Sequence, residues 1–154
     1  MSDLPKADRC PVCGGEAHLT REVRPITILA RSVAVEDEFY RCTRCREEVY
    51  RPGMMDAVMR RATAKIREED GLLTPDEVRA VRRKFGLTQP EFERLLGVGA
   101  NTVVRWERGT VPQGSAADSL LRLLDEFTEN ARFLAGLHGV ELPANGRRAR
   151  TKAA

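Results

Sequence analysis

The sequence predicts an α+β chain of two domains, a small four-cysteine β module followed by an all-α helix-turn-helix domain. Three observations predict it. Two Cys-x2-Cys pairs, Cys10/Cys13 and Cys42/Cys45, stand 28 residues apart and enclose β-branched, apolar stretches. From Pro52 onward, apolar residues recur at intervals of three and four, the helical spacing. The stretch from Leu87 to Gly109 joins a helix start, a glycine break and a second short helix. With 5% aromatic and 32% charged residues in 154, one large core is not expected.

The module covers residues 1–51. Each cysteine pair reads as a knuckle, a tight turn aiming two thiolates at one ion, and two knuckles complete a tetrahedral site. Gly14 and Gly15 suit the backbone the first knuckle needs. One structural zinc per chain, held by Cys10, Cys13, Cys42 and Cys45, is expected. C-P-x-C-G with two knuckles is also similar to rubredoxins, so iron stays open as the alternative. Two disulfides are disfavoured in a chain with no export signal, and a thioredoxin-like reading lacks its βαβ context. Ala17 to Val23 and Ile26 to Val35 read as strands broken at Arg24-Pro25, and Phe39, Tyr40, Val49 and Tyr50 flank the second knuckle. A sheet of about fifty residues rarely folds unaided, and metal binding would supply the difference.

Residues 52–71 read as a connecting helix and linker, with Met55, Val58, Met59, Ala62 and Ile66 on one face that must be buried against the module or a partner. Residues 72–138 read as a domain for DNA binding and dimerisation. Thr74 with Glu77 is a capping box with Pro75 at the first helical position, and Val78, Val81 and Phe85 form that helix's inner face. Arg79, Arg82, Arg83 and Lys84 are placed outward, against phosphates or water. Thr88 with Glu91 starts the next helix, and Gly97-Val98-Gly99 breaks it. A second helix is expected from about Ala100 to Arg108, with Val103 and Trp106 inward and Asn101, Thr102, Arg105 and Arg108 outward.

Two helices joined by a short glycine-containing turn is the geometry that seats the second helix in the DNA major groove. Asn101 and Arg105, four apart, are suited to read adenine and guanine edges. Thr88, Gln89, Thr102 and Arg108 are the candidate backbone or flanking contacts. The run LTQ, LLGV and N-x-x-x-R-W-E-R-G resembles the Xre/Cro-type helix-turn-helix of bacterial and phage repressors, with Gly99 standing where that family has a better cap.

Ser115 with Asp118 reads as a third capping box, opening one long helix to about Leu137. Leu120, Leu124, Phe127, Ala131 and Leu134 then form a single apolar seam, read as the contact of a homodimer on a palindromic operator. Residues 139–154 read as a disordered basic tail. Net charge is only +3, but residues 71 to 114 hold seven Lys and Arg against five Asp and Glu, and residues 143 to 154 four against none. Positive charge thus gathers where DNA is expected.

The order of the parts, from Cys10 to about Leu134, resembles the MqsA/YgiT family of zinc-finger antitoxins. The resemblance implies a zinc module that engages a ribonuclease toxin, and a C-terminal domain that dimerises and represses its own operon. By similarity, the four cysteines are the zinc ligands and Asn101 and Arg105 the base readers. The alternative is a stand-alone zinc-containing Xre-family regulator with no toxin partner. Catalysis is not expected: there is no Ser/His/Asp set, no phosphate loop, and no open metal position. No segment is apolar enough to span a bilayer and no signal peptide precedes the module, so the chain reads as cytoplasmic.

Overall fold

The computed structural model describes residues 4–143, and the basic run from Asn145 lies outside the described residues. In order the elements are β1 (Ala7–Arg9), β2 (Glu16–Ile28), β3 (Arg31–Cys42), β4 (Glu48–Val49), α1 (Met54–Asp70), α2 (Pro75–Lys84), α3 (Gln89–Leu96), α4 (Thr102–Arg108), α5 (Ser115–Glu126) and α6 (Asn130–His138). They form two compact units, divided between Ile66 and Arg67.

Unit 1 is a four-stranded antiparallel sheet in the order β1-β2-β3-β4. The expected break at Arg24-Pro25 is absent. β2 runs through it, with Pro25 opposite Ala34, and the chain reverses at Leu29-Ala30 between the paired Ile28 and Arg31. Ile26 to Val35 is therefore the tip of a hairpin and not one strand. Pro25 is tolerated because β1 pairs only with Glu16, Ala17 and His18, so β2 farther along is an edge among the described residues. An edge strand can spare an N–H.

The apolar face after Pro52 finds its cover on the hairpin: Val58, Ala62 and Ile66 of α1 pack against Ile28, Val33 and Val35. Met54, and not Met55, turns inward, joining Cys10, Ala17, Tyr40 and Cys42 in a second small cluster. Two side chains of α1 also reach the outer edge of β3. Lys65 Nζ donates to the Ala34 carbonyl at 2.8 Å and Arg61 Nη1 to the Glu36 carbonyl at 2.7 Å. That edge is thereby occupied.

Unit 2 begins with two helices that start as expected. Thr74 with Glu77 caps α2 and Thr88 with Glu91 caps α3, both as reciprocal boxes with proline in the first turn. Val78, Val81, Phe92, Leu95, Val103, Trp106, Leu121 and Leu124 make one core, with Val98 of the glycine break packed against it.

The C-terminal half departs from the expectation twice. α5 starts at Ser115, but Gly114 is its cap residue and no side chain caps it. Asp118 is drawn inward instead, accepting from Leu73 N at 2.8 Å, Gln113 Nε2 at 3.0 Å and Arg122 Nε at 2.7 Å. The expected long helix is two helices, because α5 stops at Phe127 (φ -117, ψ 82) and α6 resumes at Asn130. The return buries Ala131 and Ala135 in the core, and Lys84 Nζ takes up the carbonyl of Asp125 at the end of α5. The seam is not continuous. Leu124 and Ala131 are wholly buried within the unit, Leu120 and Leu134 are partly buried against the same core, and Phe127 alone is exposed.

Candidate metal centre and nucleic-acid interface

The sheet brings both knuckles to one place by pairing Ala17 with Cys42. In the first, Gly14 N donates back to the Cys10 carbonyl at 2.9 Å, with Gly14 at φ 72; in the second, Arg46 N does the same to Cys42 at 3.2 Å, with Arg46 at φ 64. Arg46 thus holds the left-handed backbone that glycine supplies in the first knuckle. The four Sγ atoms lie within 4.8 Å of one another, with Cys10–Cys45 at 3.6 Å and Cys13–Cys42 at 3.5 Å. Disulfide sulfurs stand about 2.05 Å apart, so these are free thiols. Sulfurs about 2.3 Å from a tetrahedral ion would lie about 3.8 Å apart, and the cluster is close to that size. These residues fit a four-thiolate metal.

Backbone N–H groups of Cys45 and Arg44 aim at Cys42 and pull its thiol down to about 6 against the cost of burial. The Glu47 N–H lowers the Cys45 thiol too, but burial and the three neighbouring sulfurs outweigh it and push this thiol up to about 12. A cation would offset that crowding by holding all four sulfurs as thiolates, the ligand form. Gly15 leaves the room it needs, since a Cβ there would come 3.2 Å from Cys13 Sγ and 3.4 Å from Cys42 Sγ.

In unit 2, the break after α3 is made by Gly97 at φ 67, and α4 follows. Asn101 is not inside this helix. It is the cap residue, at φ 62, and its side chain makes no capping bond. Arg105 and Arg108 are exposed, as is Asn101, while Val103, Trp106 and Glu107 are buried. Thr102 is half-buried. Thr88 is exposed but its hydroxyl is engaged in its own capping box, and Gln89 donates to Glu107 Oε2 at 2.9 Å.

A family model described as "Antitoxin component of bacterial toxin-antitoxin system, MqsA" matches residues 8–132. The chain belongs to the MqsA antitoxin family. Antitoxin MqsA of Escherichia coli (strain K12) is 29% identical over 124 residues, covering 79% of this chain and 95% of that protein. Antitoxin HigA-2 of Vibrio cholerae is 35% identical over 66 residues, 42% of this chain and 62% of that protein. A stand-alone regulator is not favoured by these matches. The segment matched to the MqsA family includes all four cysteines and all of α4.

Two residues of this MqsA-type chain that sequence reasoning missed hold α4 in place. Glu93 of α3 is buried, and its Oε1 accepts from Val103 N at 3.0 Å, supplying the helix start with the acceptor that Gly99 and Asn101 do not. A charged residue between the apolar Phe92 and Leu95 was the available signal. Glu107 is the second. Burial pushes its carboxyl up, and hydrogen bonds from Arg82 and Gln89 more than reverse this, leaving it below the usual range. Arg82 meets it at 2.6 and 3.0 Å and also donates to the Leu87 carbonyl. Arg82 is therefore an internal strut and not an outward phosphate contact; its side chain is 13% exposed. Arg79 is likewise engaged with Asp76 and Glu107, and Lys84 with Asp125, which leaves Arg83 as the exposed member of that group with no described role.

Proposed function

We propose that this antitoxin represses its own operon, with α4 as the major-groove reader and Asn101 and Arg105 as the base-reading pair, Thr88, Gln89, Thr102 and Arg108 flanking them. The observation that carries the reading is α4 itself: its inner face is locked into the core while Asn101, Arg105 and Arg108 stay exposed along one short helix and its cap. A homodimer on a palindromic operator completes the proposal. Its contact is sought among the exposed Leu123, Phe127, Phe133 and Leu137, since Leu124 and Ala131 have no surface to give. Among the described residues no helix is long and apolar enough to cross a membrane, and the proposed site of action is the cytoplasm.

The test is Asn101→Gly, which removes the side chain at a backbone angle that alanine would strain. Discrimination between operator and random DNA should fall by about 1 to 3 kcal/mol, with random binding kept. Equal weakening of both would remove Asn101 from the reading.

Unit 1 is proposed to hold zinc at the four cysteines as a structural ion and to bind the cognate ribonuclease toxin. Four thiolates leave no coordination position for water, which suits structure rather than catalysis. The edge of β2 beyond His18 supports the toxin assignment, because among the described residues it carries no strand while the edge of β3 is taken by Lys65 and Arg61. Val23→Asp, at an exposed position of that edge strand, should abolish capture of the toxin in co-purification while metal content and operator binding stay unchanged. Undiminished capture would place the toxin elsewhere.

A further inference from the structure

Arg67, in the last turn of α1, is 4% exposed and spends its guanidinium on one spot. Nη2 donates to the backbone carbonyls of Trp106 and Val111, both at 3.0 Å, and Nε to Oε1 of Gln113 at 3.2 Å. The Trp106 carbonyl belongs to the last turn of α4, just before Gly109 turns the chain away at φ 71. Gln113 is 1% exposed and is itself fixed, donating to the Leu73 carbonyl at 2.7 Å and to Asp118 Oδ1 at 3.0 Å.

All three oxygens that receive Arg67 belong to neutral groups, and burial pulls its pKa down. A buried guanidinium so placed is a costly support, which a packed apolar side chain could rival for stability alone. What arginine adds is direction: a rigid planar fork with several donors at fixed angles. At the opposite end of α4, Glu93 holds Val103 N. The helix is short and contributes few bonds of its own, so beside the brace on Glu107 from Arg82 and Arg79 its two ends are set by these buried side chains, each of the sign that complements its end of the helix dipole.

We propose that Arg67 is a positioning residue for DNA reading: it fixes the C-terminal end of α4 and so sets the pitch at which Arg105 and Asn101 meet base edges. It touches no DNA. The proposal rests on α4 being the recognition helix.

The test uses full-length, metal-loaded protein carrying Arg67→Met or Arg67→Lys. The probes are the duplex immediately upstream of the chain's own gene and a random-sequence duplex of equal length. Trp106, the single tryptophan, reports on α4 directly by its emission. Affinity for the upstream duplex should fall about tenfold or more in both variants, as for a lost paired base contact, with random binding within about twofold. The salt slope should be unchanged, since no phosphate contact is removed. Trp106 emission should shift, and lysine should not rescue, because one ammonium cannot serve three separated acceptors. Retained discrimination, or equal loss on both duplexes, overturns the proposal. Should Arg67→Met melt below the assay temperature, Gln113→Leu removes the acceptor of Arg67 Nε together with Gln113's own bonds to Leu73 and Asp118, and should lower the same discrimination by about threefold or more; no loss overturns the proposal equally. Wild-type protein that fails to tell the two duplexes apart would overturn the DNA reading, and the role of Arg67 with it.

Discussion

Among the described residues, unit 1 places its buried apolar side chains in a cluster of six where α1 meets the hairpin and one of five around the cysteines, with Phe39 in neither, whereas unit 2 gathers thirteen into a single core. Unit 2 adds buried, fully partnered charges: Glu107 with Arg82, and Asp118 with Gln113 and Arg122. Two of the five residues in unit 1's second cluster are cysteines of the metal site, so that cluster is whole only when the thiols converge. The contrast leads us to expect stability that depends on an ion in unit 1 and is intrinsic to the chain in unit 2.

The largest effect should come from taking the metal away. Chelation should unfold unit 1, removing about 10 kcal/mol or more of binding free energy, while unit 2 stays folded. Unit 2 should keep its own cooperative thermal melt, even as sheet resonances from β2 and β3 disappear. Metal analysis of the untreated protein should return one zinc per chain; iron, or an intact sheet without metal, would break the contrast between the units. Acid should mimic the chelator. The Cys42 thiol is depressed in the fold to about 6 from a reference of 9.0, so its contribution is complete above the reference value and is lost as pH falls through 6. Metal release should therefore rise on acidification.

Next in size is Arg82→Ala. It removes both Arg82 hydrogen bonds from Glu107, whose side chain is 1% exposed, leaving it Gln89 and Arg79, and should cost about 1.5 to 3 kcal/mol in unit 2 with metal content untouched. Had Arg82 been a phosphate contact, stability would have held and the salt slope of DNA binding would have dropped by about one. Thermal melts followed by Trp106 emission distinguish the two.

The smallest effect is expected at Arg46→Gly. Glycine relieves the left-handed backbone of the second knuckle and should raise the chelator concentration needed to open unit 1, equivalent to about 1 kcal/mol. A lowered threshold would mean that the arginine side chain matters more than its backbone.

Local features were legible. The capping boxes at Thr74 and Thr88 need only residues three apart, and the knuckles announce themselves by spacing. What escaped was whatever a distant partner decides. Pro25 looked like a strand end because its missing N–H is costly inside a sheet, but β2 is an edge there. Ser115 and Asp118 had the spacing of a box, yet Leu73 N and Gln113, brought close only by the fold, bind Asp118 more fully than the helix start would. The seam from Leu120 to Leu134 kept helical spacing across a break that no glycine or proline marks. At the candidate interface the outward residues were found, while Glu93 and Arg67, whose contacts lie far along the chain, were not.

The cap position of Asn101 bears on how a DNA reader of the proposed kind changes its target over evolutionary time. Arg105 and Arg108 are exposed on a regular helix and can be exchanged for almost any residue without disturbing the core. Asn101, at φ 62, accepts asparagine, aspartate or glycine at little cost and resists β-branched residues. Of the two letters in the proposed reading code, one can drift freely and the other has a small alphabet. Related operators should accordingly diverge sooner at the base read by Arg105 than at the base read by Asn101.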